Sequence, residues 1–191
     1  MVETLKRRSA LASVYVKGRF GADTNVPGMT VHERTDLTLV HIDGGNDDVK
    51  NPQGFTLPTP GHSAAGTDTR ALWMGPGRWL VIANDGAYGA LAQKITERIP
   101  AAAINDVSSS RTVLRLTGPK VRDVLAAGCP IDLHTAKWTS GVCATTILDH
   151  FTVTIDCIDA ASFDVYVARG FALSFYEWLM EAGEEFGVEV V

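Results

Sequence analysis

The sequence has few of the features that mark a disulfide-rich, membrane-spanning or nucleic-acid-binding protein. Its three cysteines, in 191 residues, are odd in number and show no Cys-x-x-Cys spacing, which argues against a disulfide framework and a zinc site. No apolar run approaches the roughly 20 residues that span a bilayer, and no apolar signal core follows Lys6-Arg7-Arg8. The net charge is −5 and no basic stripe is visible. We therefore expect a cytoplasmic protein that binds neither nucleic acid nor a membrane.

Known catalytic motifs are also missing. Gly75-Pro76-Gly77 is not followed by the Lys-Ser/Thr of a phosphate loop, and the five histidines are scattered without ligand spacing. The Ser108-Ser109-Ser110 run has no nucleophile elbow around it, so turn and cap chemistry is the better interpretation. Cys143 and His150 would be near each other only if their strands pair suitably, and a packing cysteine beside an exposed histidine is the simpler hypothesis.

Hydrophobic periodicity divides the chain into three parts. Residues 1–30 are weakly periodic and predict an N-terminal arm that is either disordered or ordered by a partner. Residues 31–105 predict a first α+β unit, with a strand over 31–43, two strands around Gly75-Pro76-Gly77 and a helix over 85–98. Residues 44–66 predict mostly loop, with a short helix over 47–50 as the alternative.

Residues 106–191 predict a second α+β unit. Thr112, Leu114 and Leu116 alternate on one face of a strand, and a short helix then follows Gly118-Pro119 and ends at Gly128. Three strands are predicted over 143–148, 151–157 and 163–167. The last helix, over 170–186, is expected to bury its apolar side, which comprises Phe171, Phe175, Trp178, Leu179, Ala182 and Phe186. The predicted fold class is α+β, with two antiparallel-sheet units and helices packed on one face.

Two pairs of residues are candidates for a protein interface. Arg111 and Arg115 share one face of the predicted strand, where two guanidinium groups repel each other unless carboxylates lie opposite. Those carboxylates belong either to this chain, with Asp106 or Asp123 as examples, or to a partner subunit. Trp73 and Trp79 flank a tight turn and are either core residues or interface anchors, with a core position expected for at least one of them.

Several of these segments together resemble a known family. The segments that carry the resemblance are Leu72-Trp73-Met74-Gly75-Pro76, Asp106-Val107-Ser108, Leu116-Thr117-Gly118-Pro119, Gly128-Cys129-Pro130-Ile131-Asp132-Leu133-His134 and Phe163-Asp164-Val165-Tyr166-Val167-Ala168-Arg169. They resemble the gamma subunit of heterotetrameric sarcosine oxidase, over roughly residues 30–187. The pattern consists of packing and turn residues, so it indicates ancestry more than chemistry.

The resemblance implies a non-catalytic structural subunit whose fold is similar to the folate-binding domain of glycine-cleavage aminomethyltransferase. The complex as a whole would oxidise sarcosine to glycine, with hydrogen peroxide and formaldehyde or methylene-tetrahydrofolate as the other products. In the family the alpha subunit holds NAD, the beta subunit holds FAD and FMN, and the delta subunit holds zinc. The gamma subunit carries no cofactor and packs mainly against alpha.

Two other functions remain open from the sequence. One is a stand-alone folate-binding protein related to the aminomethyltransferases, although Ala127-Gly128-Cys129-Pro130 shares only Gly-Cys with the signature of one such group. The other is a hydrolase that uses Cys143 or Ser109 as its nucleophile.

Overall fold

The computed structural model describes residues 8–44, 56–84 and 89–191, and the structural statements below concern these residues. The strands are β1 (Gly18–Phe20), β2 (Met29–Glu33), β3 (Leu37–Asp43), β4 (Ser63–Ala65), β5 (Thr69–Gly75), β6 (Arg78–Asn84), β7 (Ala103–Asp106), β8 (Arg111–Thr117), β9 (Cys143–Leu148), β10 (Phe151–Asp159), β11 (Ser162–Ala168) and β12 (Val188–Val190). The helices are α1 (Ala90–Arg98), α2 (Val121–Ala126) and α3 (Ala172–Gly183). Short 3-10 turns at Arg169–Phe171 and Glu184–Phe186 flank α3.

The strands form two sheets. A seven-stranded sheet has the order β1-β12-β2-β8-β11-β10-β9, and a five-stranded sheet has the order β4-β5-β6-β3-β7. All pairs are antiparallel except β12 with β2, because the chain returns after α3 to run beside β2 in the same direction. The predicted α+β class is confirmed, and this one parallel pair is the departure from purely antiparallel sheets.

The two sheets face each other across a shared core. Leu37, Leu39 and Leu72 of the five-stranded sheet pack against Val113 and Tyr166 of the seven-stranded sheet. Backbone hydrogen bonds also join the sheets where β4 approaches β9, because Ser63 N donates to Gly141 O at 2.7 Å and Cys143 N donates to Gly61 O at 2.9 Å. Each sheet therefore has one face on its own helices and one face on the other sheet.

The helices cover the outer faces. Helix α1 buries Ile95 against Val40 and Val81 of the five-stranded sheet. Helices α2 and α3 cover the larger core, in which Thr112, Leu114 and Leu116 are buried as the alternation predicts. The last helix is shorter than predicted, because Phe171 and Phe186 lie in the 3-10 turns before and after α3. Phe171 is 59% exposed, whereas Phe186 is partly buried.

The N-terminal part differs from the prediction of a loose arm. Leu11 is fully buried in the larger core, and the Tyr15 hydroxyl donates to Val31 O at 3.1 Å and accepts from Glu33 N at 2.7 Å. From Arg8 onward the segment therefore packs on the chain's own sheet. The assignment of residues 1–30, 31–105 and 106–191 to an arm and two units stays a prediction.

The predicted single strand over 31–43 was wrong, because it is two strands in different sheets. Arg34 N donates to Val113 O at 2.8 Å and its guanidinium bonds Asp36, which turns the chain between β2 and β3. Residues 34–36 contain neither glycine nor proline, so the sequence gives no strong turn signal at this position. The alternative helix over 47–50 and the start of the predicted one over 85–98 lie outside the described residues.

Candidate interface site

Two buried carboxylates lie between the sheets, each paired with an arginine. Asp164 on β11 accepts two hydrogen bonds from Arg115 on β8, at 2.7 Å from Nε and 2.7 Å from Nη2. Asp156 on β10 accepts from Arg70 on β5 through Nε, and through Nη2 at 2.8 Å. The side chains of Asp164 and Asp156 are only 4% and 0% exposed. Two planar, bidentate ion pairs thus occupy positions that a sheet-to-sheet core usually fills with apolar groups.

The electrostatics follow from that pairing. The hydrogen bonds and charge of Asp164 raise the pKa of Arg115. Burial alone would lower the pKa of Arg70, but the hydrogen bond and charge of Asp156 raise it. The neighbouring Tyr166 is fully buried, and burial raises the pKa of its phenol well above the ordinary value. These groups keep fixed protonation states near neutral pH, which suits structure better than proton transfer.

A cavity of about 220 Å³ opens beside the two ion pairs. Its lining includes Arg34, Arg70, Arg115, Asp164 and Tyr166. The arginines there already have carboxylate partners, since Arg34 Nη1 also lies 4.0 Å from Asp164. The charged groups of this cavity are therefore satisfied within the chain.

Of the two alternatives for the arginine pair, Arg115 has the first, a carboxylate partner within this chain. Its partner is internal, but the partner is Asp164 rather than the suggested Asp106 or Asp123. Asp106 instead accepts a hydrogen bond from Ser108 N at 2.9 Å. Asp123 pairs with Lys120 at 2.9 Å.

Arg111 has a different environment at the start of β8. It is half-buried and lines a second cavity of about 240 Å³, together with Arg8, Arg34 and Arg169. We call this the arginine cavity. Within the described part of the chain, the Arg111 side chain makes neither a hydrogen bond nor an ion pair. The charge of Arg111 therefore has no partner among the residues that the structure describes.

The two tryptophans lie directly opposite each other on β5 and β6. Trp79 donates from Nε1 to Pro58 O at 3.1 Å and packs on the core beneath α1. Trp73 is partly buried beside it at the turn end of the hairpin. Trp79 therefore has a core role. An interface role for Trp73 or Trp79 stays a prediction.

The geometry supports a packing role for Cys143 rather than the alternative of a thiol nucleophile. Burial raises the pKa of Cys143 to about 12, and its Sγ donates to His62 O at 3.0 Å. His150 lies in the turn beyond the opposite end of β9, roughly 17 Å along the strand, and its side chain is 88% exposed. A thiol protonated at neutral pH and separated from the imidazole cannot act as a nucleophile.

The serine run carries turn chemistry, as its composition predicts. Ser108 Oγ accepts from Leu39 N at 2.9 Å, and Ser110 Oγ donates to Val107 O at 2.9 Å. Ser109 between them is exposed on the turn. Residues 8–44, 56–84 and 89–191 also hold no group of three His, Cys, Asp or Glu side chains that could bind a metal ion. Nor does any helix in those ranges have the length and apolarity to cross a membrane.

Sequence reasoning missed the two buried aspartates and Arg70. A usable signal was present, because Asp156 lies between Ile155 and Cys157, and Asp164 between Phe163 and Val165. Single charges inside otherwise apolar strands indicate a pairing partner on a neighbouring element. Alternation alone assigns them to a solvent-facing side, and the second sheet covers that side.

Comparison with known structures first defines the fold. The aminomethyltransferase T of the glycine cleavage system from Bartonella henselae matches with a TM-score of 0.65 at 17% identity, over 86% of this chain and 48% of that chain. The chain therefore has the fold seen in part of that protein. A chain of the heterotetrameric sarcosine oxidase from Corynebacterium sp. U-96, solved in complex with pyrrole 2-carboxylate, matches with a TM-score of 0.84. That match has 25% identity and covers 94% of this chain and 96% of the other.

Sequence comparison then defines the family. The model of the sarcosine oxidase gamma subunit family matches residues 45–185. The sarcosine oxidase subunit gamma of Corynebacterium sp. (strain P-1) is 28% identical over 183 residues, which cover 95% of this chain and 90% of that protein. The subunit gamma of an Arthrobacter sp. is 32% identical over 143 residues, which cover 72% and 69% of the two chains. The chain belongs to the sarcosine oxidase gamma subunit family.

Proposed function

We propose that this chain is the non-catalytic gamma subunit of a heterotetrameric sarcosine oxidase, an oxidoreductase that demethylates sarcosine to glycine. The observation that carries the proposal is the match to one chain of such an enzyme over 94% of this chain, together with the family match. In the proposed reaction, oxygen is reduced to hydrogen peroxide, and the methyl group leaves as formaldehyde or as methylene-tetrahydrofolate.

A structural role fits the chemistry of the described residues. The buried thiol of Cys143 has a pKa of about 12, and the two buried carboxylates are held in ion pairs. Such groups stabilise a fold but are poorly placed to attack or protonate a substrate. Catalysis is therefore assigned to other subunits, and this chain is proposed to support them.

The partners and cofactors of that complex are part of the same proposal. We assign FAD, FMN, NAD and zinc to the other subunits, and we assign the main contact of this chain to the alpha subunit, with beta and delta completing the assembly. The cytoplasm is the proposed compartment, which is consistent with three free cysteines. Of the four predicted interface residues, Arg115 and Trp79 bond within the chain, so the proposal gives more weight to Arg111 and Trp73.

Purification of the assembly tests this function. The chain is co-expressed with the products of its neighbouring genes and purified through a tag on this chain alone. We expect a flavin-containing complex that consumes oxygen when sarcosine is added. A flavin-free monomer, recovered while the neighbouring subunits are soluble, would contradict the proposal and favour the stand-alone folate-binding protein.

A second preparation distinguishes a structural from a catalytic role. The same subunits are expressed without this chain and purified through a tag on another subunit. A structural role predicts a lower yield and a lower melting temperature of the remaining complex. An intact, equally stable complex whose flavins remain bound but which has lost turnover would assign chemistry to this chain.

A further inference from the structure

The arginine cavity is lined by arginine residues from four separate segments of the chain. Arg8 comes from the N-terminal segment, Arg34 from the turn after β2, Arg111 from the start of β8 and Arg169 from the turn after β11. The remaining lining residues are Ser9, Glu33, Thr35, Thr112 and Val113. Arg34 is paired with Asp36, so the other three arginines give this cavity of about 240 Å³ an excess of positive charge, which favours an anionic occupant.

Backbone hydrogen bonds hold three of these segments together. Arg34 N donates to Val113 O at 2.8 Å, and Arg169 N donates to Ser110 O at 2.9 Å. The Arg169 guanidinium also donates to Arg8 O at 2.7 Å. The fold itself therefore fixes the backbone positions of these arginines, and no occupant is needed to form the cavity wall.

The charges of the cavity are only partly balanced within the chain. Glu33 is the one carboxylate in the lining, and the Ser9 hydroxyl donates to this carboxylate, with Oγ 2.6 Å from each of its oxygens. Arg34 is engaged by Asp36 at 3.1 Å. The Arg111 side chain makes neither a hydrogen bond nor an ion pair in the described residues. Hence the lining holds four arginines against one glutamate, although the whole chain has a net charge of −5.

An exposed aromatic side chain follows Arg169 by two residues in the chain. Phe171 is in the same 3-10 turn as Arg169 and is 59% exposed, although its ring lies 6.2 Å from that of Phe151. Exposed aromatic groups next to arginines are typical of the residues that dominate binding at protein interfaces. A free oxyanion would use the arginines but has no use for Phe171.

We propose that the arginine cavity and Phe171 form a docking surface for another subunit of the complex. The segment of that subunit which docks here carries carboxylate side chains beside an apolar side chain. This inference rests on the proposed function and assigns one end of the seven-stranded sheet to the contact. Charge complementarity selects the acidic segment, and Phe171 provides apolar surface that the contact removes from water.

The test compares three variants of the full chain, co-expressed with the neighbouring subunits. Arg111→Met keeps much of the side-chain length but removes the charge, and Phe171→Ser removes the ring. Arg19→Met is the matched control, because Arg19 on β1 is 57% exposed and pairs with Glu189 at 3.6 Å, outside this surface. The measurements are the dissociation constant of the tagged chain at several salt concentrations and the melting temperature of each free variant.

We expect Arg111→Met and Phe171→Ser each to weaken association by about tenfold or more, and Arg19→Met to change it by less than about twofold. Arg111→Met is also expected to reduce the salt dependence, whereas Phe171→Ser leaves it unchanged. The free Arg111→Met chain should melt no lower than the original, because no internal partner in the described residues is lost.

Three outcomes would overturn the inference. One is association of Arg111→Met and Phe171→Ser with the affinity of the original chain. In another, phosphate raises the melting temperature of the original chain but not of Arg111→Met, while Arg111→Met associates with the other subunits as the original chain does. That result would identify a site for free anions. The third is loss of a homodimer in Arg111→Met, which would identify a second copy as the occupant. Failure of the original chain to associate contradicts the proposed function itself and affects all variants equally.

Discussion

Arg115 and Arg111 lie on the same face of β8, four residues apart, yet they have opposite environments. The neighbouring strand β11 places Asp164 opposite Arg115, and it places Ala168 opposite Arg111. Arg115 is therefore neutralised by a bidentate pair, whereas Arg111 faces a cavity that contains three more arginines. Register within one sheet thus separates an arginine that stabilises the fold from one that is available to a partner.

The difference has a physical basis in burial. Asp164 is removed from water between the two sheets, so it requires a fixed cation, and Arg115 is that cation. Arg111 at the start of the strand has the same intermediate exposure as Arg115, but β11 places Ala168 rather than a carboxylate opposite it. The buried group that requires a partner is therefore Asp164, and the register of β8 with β11 gives that partner role to Arg115 and not to Arg111.

Removing Asp164 should have the largest effect. Asp164→Ala leaves Arg115 without its carboxylate and removes the neighbour of Arg34. We expect a loss of roughly 3 kcal/mol in the free energy of unfolding, the lower end for buried pairs because 32% of the Arg115 side chain remains exposed to water. Urea denaturation of the purified chain measures it.

The double variant Asp164→Leu/Arg115→Met provides the control. It replaces the pair with apolar side chains and should recover most of the lost stability, because no unpaired charge is left. A loss below about 1 kcal/mol in Asp164→Ala would show that the pair is not the feature that distinguishes the two arginines.

The sequence predicts which side chains of β8 share a face, but it does not predict the partners of Arg111 and Arg115. Alternation correctly assigned Thr112, Leu114 and Leu116 to one buried face. It also grouped Arg111 with Arg115, because strand periodicity reports only which side chains point the same way. Their separation depends on the β8–β11 register and on coverage by the second sheet, and both are set by contacts between residues distant in the sequence.

Loop chemistry shows the same limit. The turn at Gly75-Pro76-Gly77 is predicted because glycine and proline favour turns, and it does join β5 to β6. Between β9 and β10, Asp149 adopts a positive φ of 55°. The turn between β2 and β3 was missed because side-chain and backbone hydrogen bonds of Arg34 make it instead. The three-residue strands β1 and β12 are too short for any periodic pattern to reveal.

Moving a carboxylate to the other end of β11 should make Arg111 resemble Arg115. Ala168→Asp places an acidic group directly opposite Arg111, and Ala168→Asn provides the same shape without the charge. Opposite charges in such cross-strand positions stabilise by about 0.2–1 kcal/mol. We expect Ala168→Asp to exceed Ala168→Asn by that amount in thermal denaturation at low salt.

The cycle with Arg111→Met shows whether the gain comes from this pair. In that background Ala168→Asp and Ala168→Asn should be equally stable. If the aspartate remains the more stable of the two without Arg111, another arginine of the cavity provides the contact, and the comparison between the two arginines loses its basis.

Removing the charge of Arg111 should change the stability of the free chain very little. Because the Arg111 side chain bonds to no group in the described residues, we expect Arg111→Met to change the free energy of unfolding by less than about 0.5 kcal/mol. Chemical denaturation of Arg111→Met and Asp164→Ala under the same conditions compares their free energies of unfolding directly. A loss above 1 kcal/mol would mean that Arg111, like Arg115, has a structural role.

The smallest effect is electrostatic and appears at His41. Burial lowers the pKa of this histidine, Asp43 raises it, and Arg78 and Arg111 lower it further. A histidine with a lowered pKa in the folded chain adds stability that is fully present above the ordinary value near 6.5 and is lost as the pH falls through the folded pKa. Arg111→Met should therefore raise the pKa of His41, as followed by NMR titration of its ring protons, and lessen the loss of stability below pH 6.5. An unchanged pKa would show that the charge of Arg111 is already neutralised, which removes the premise that it awaits a carboxylate from another subunit.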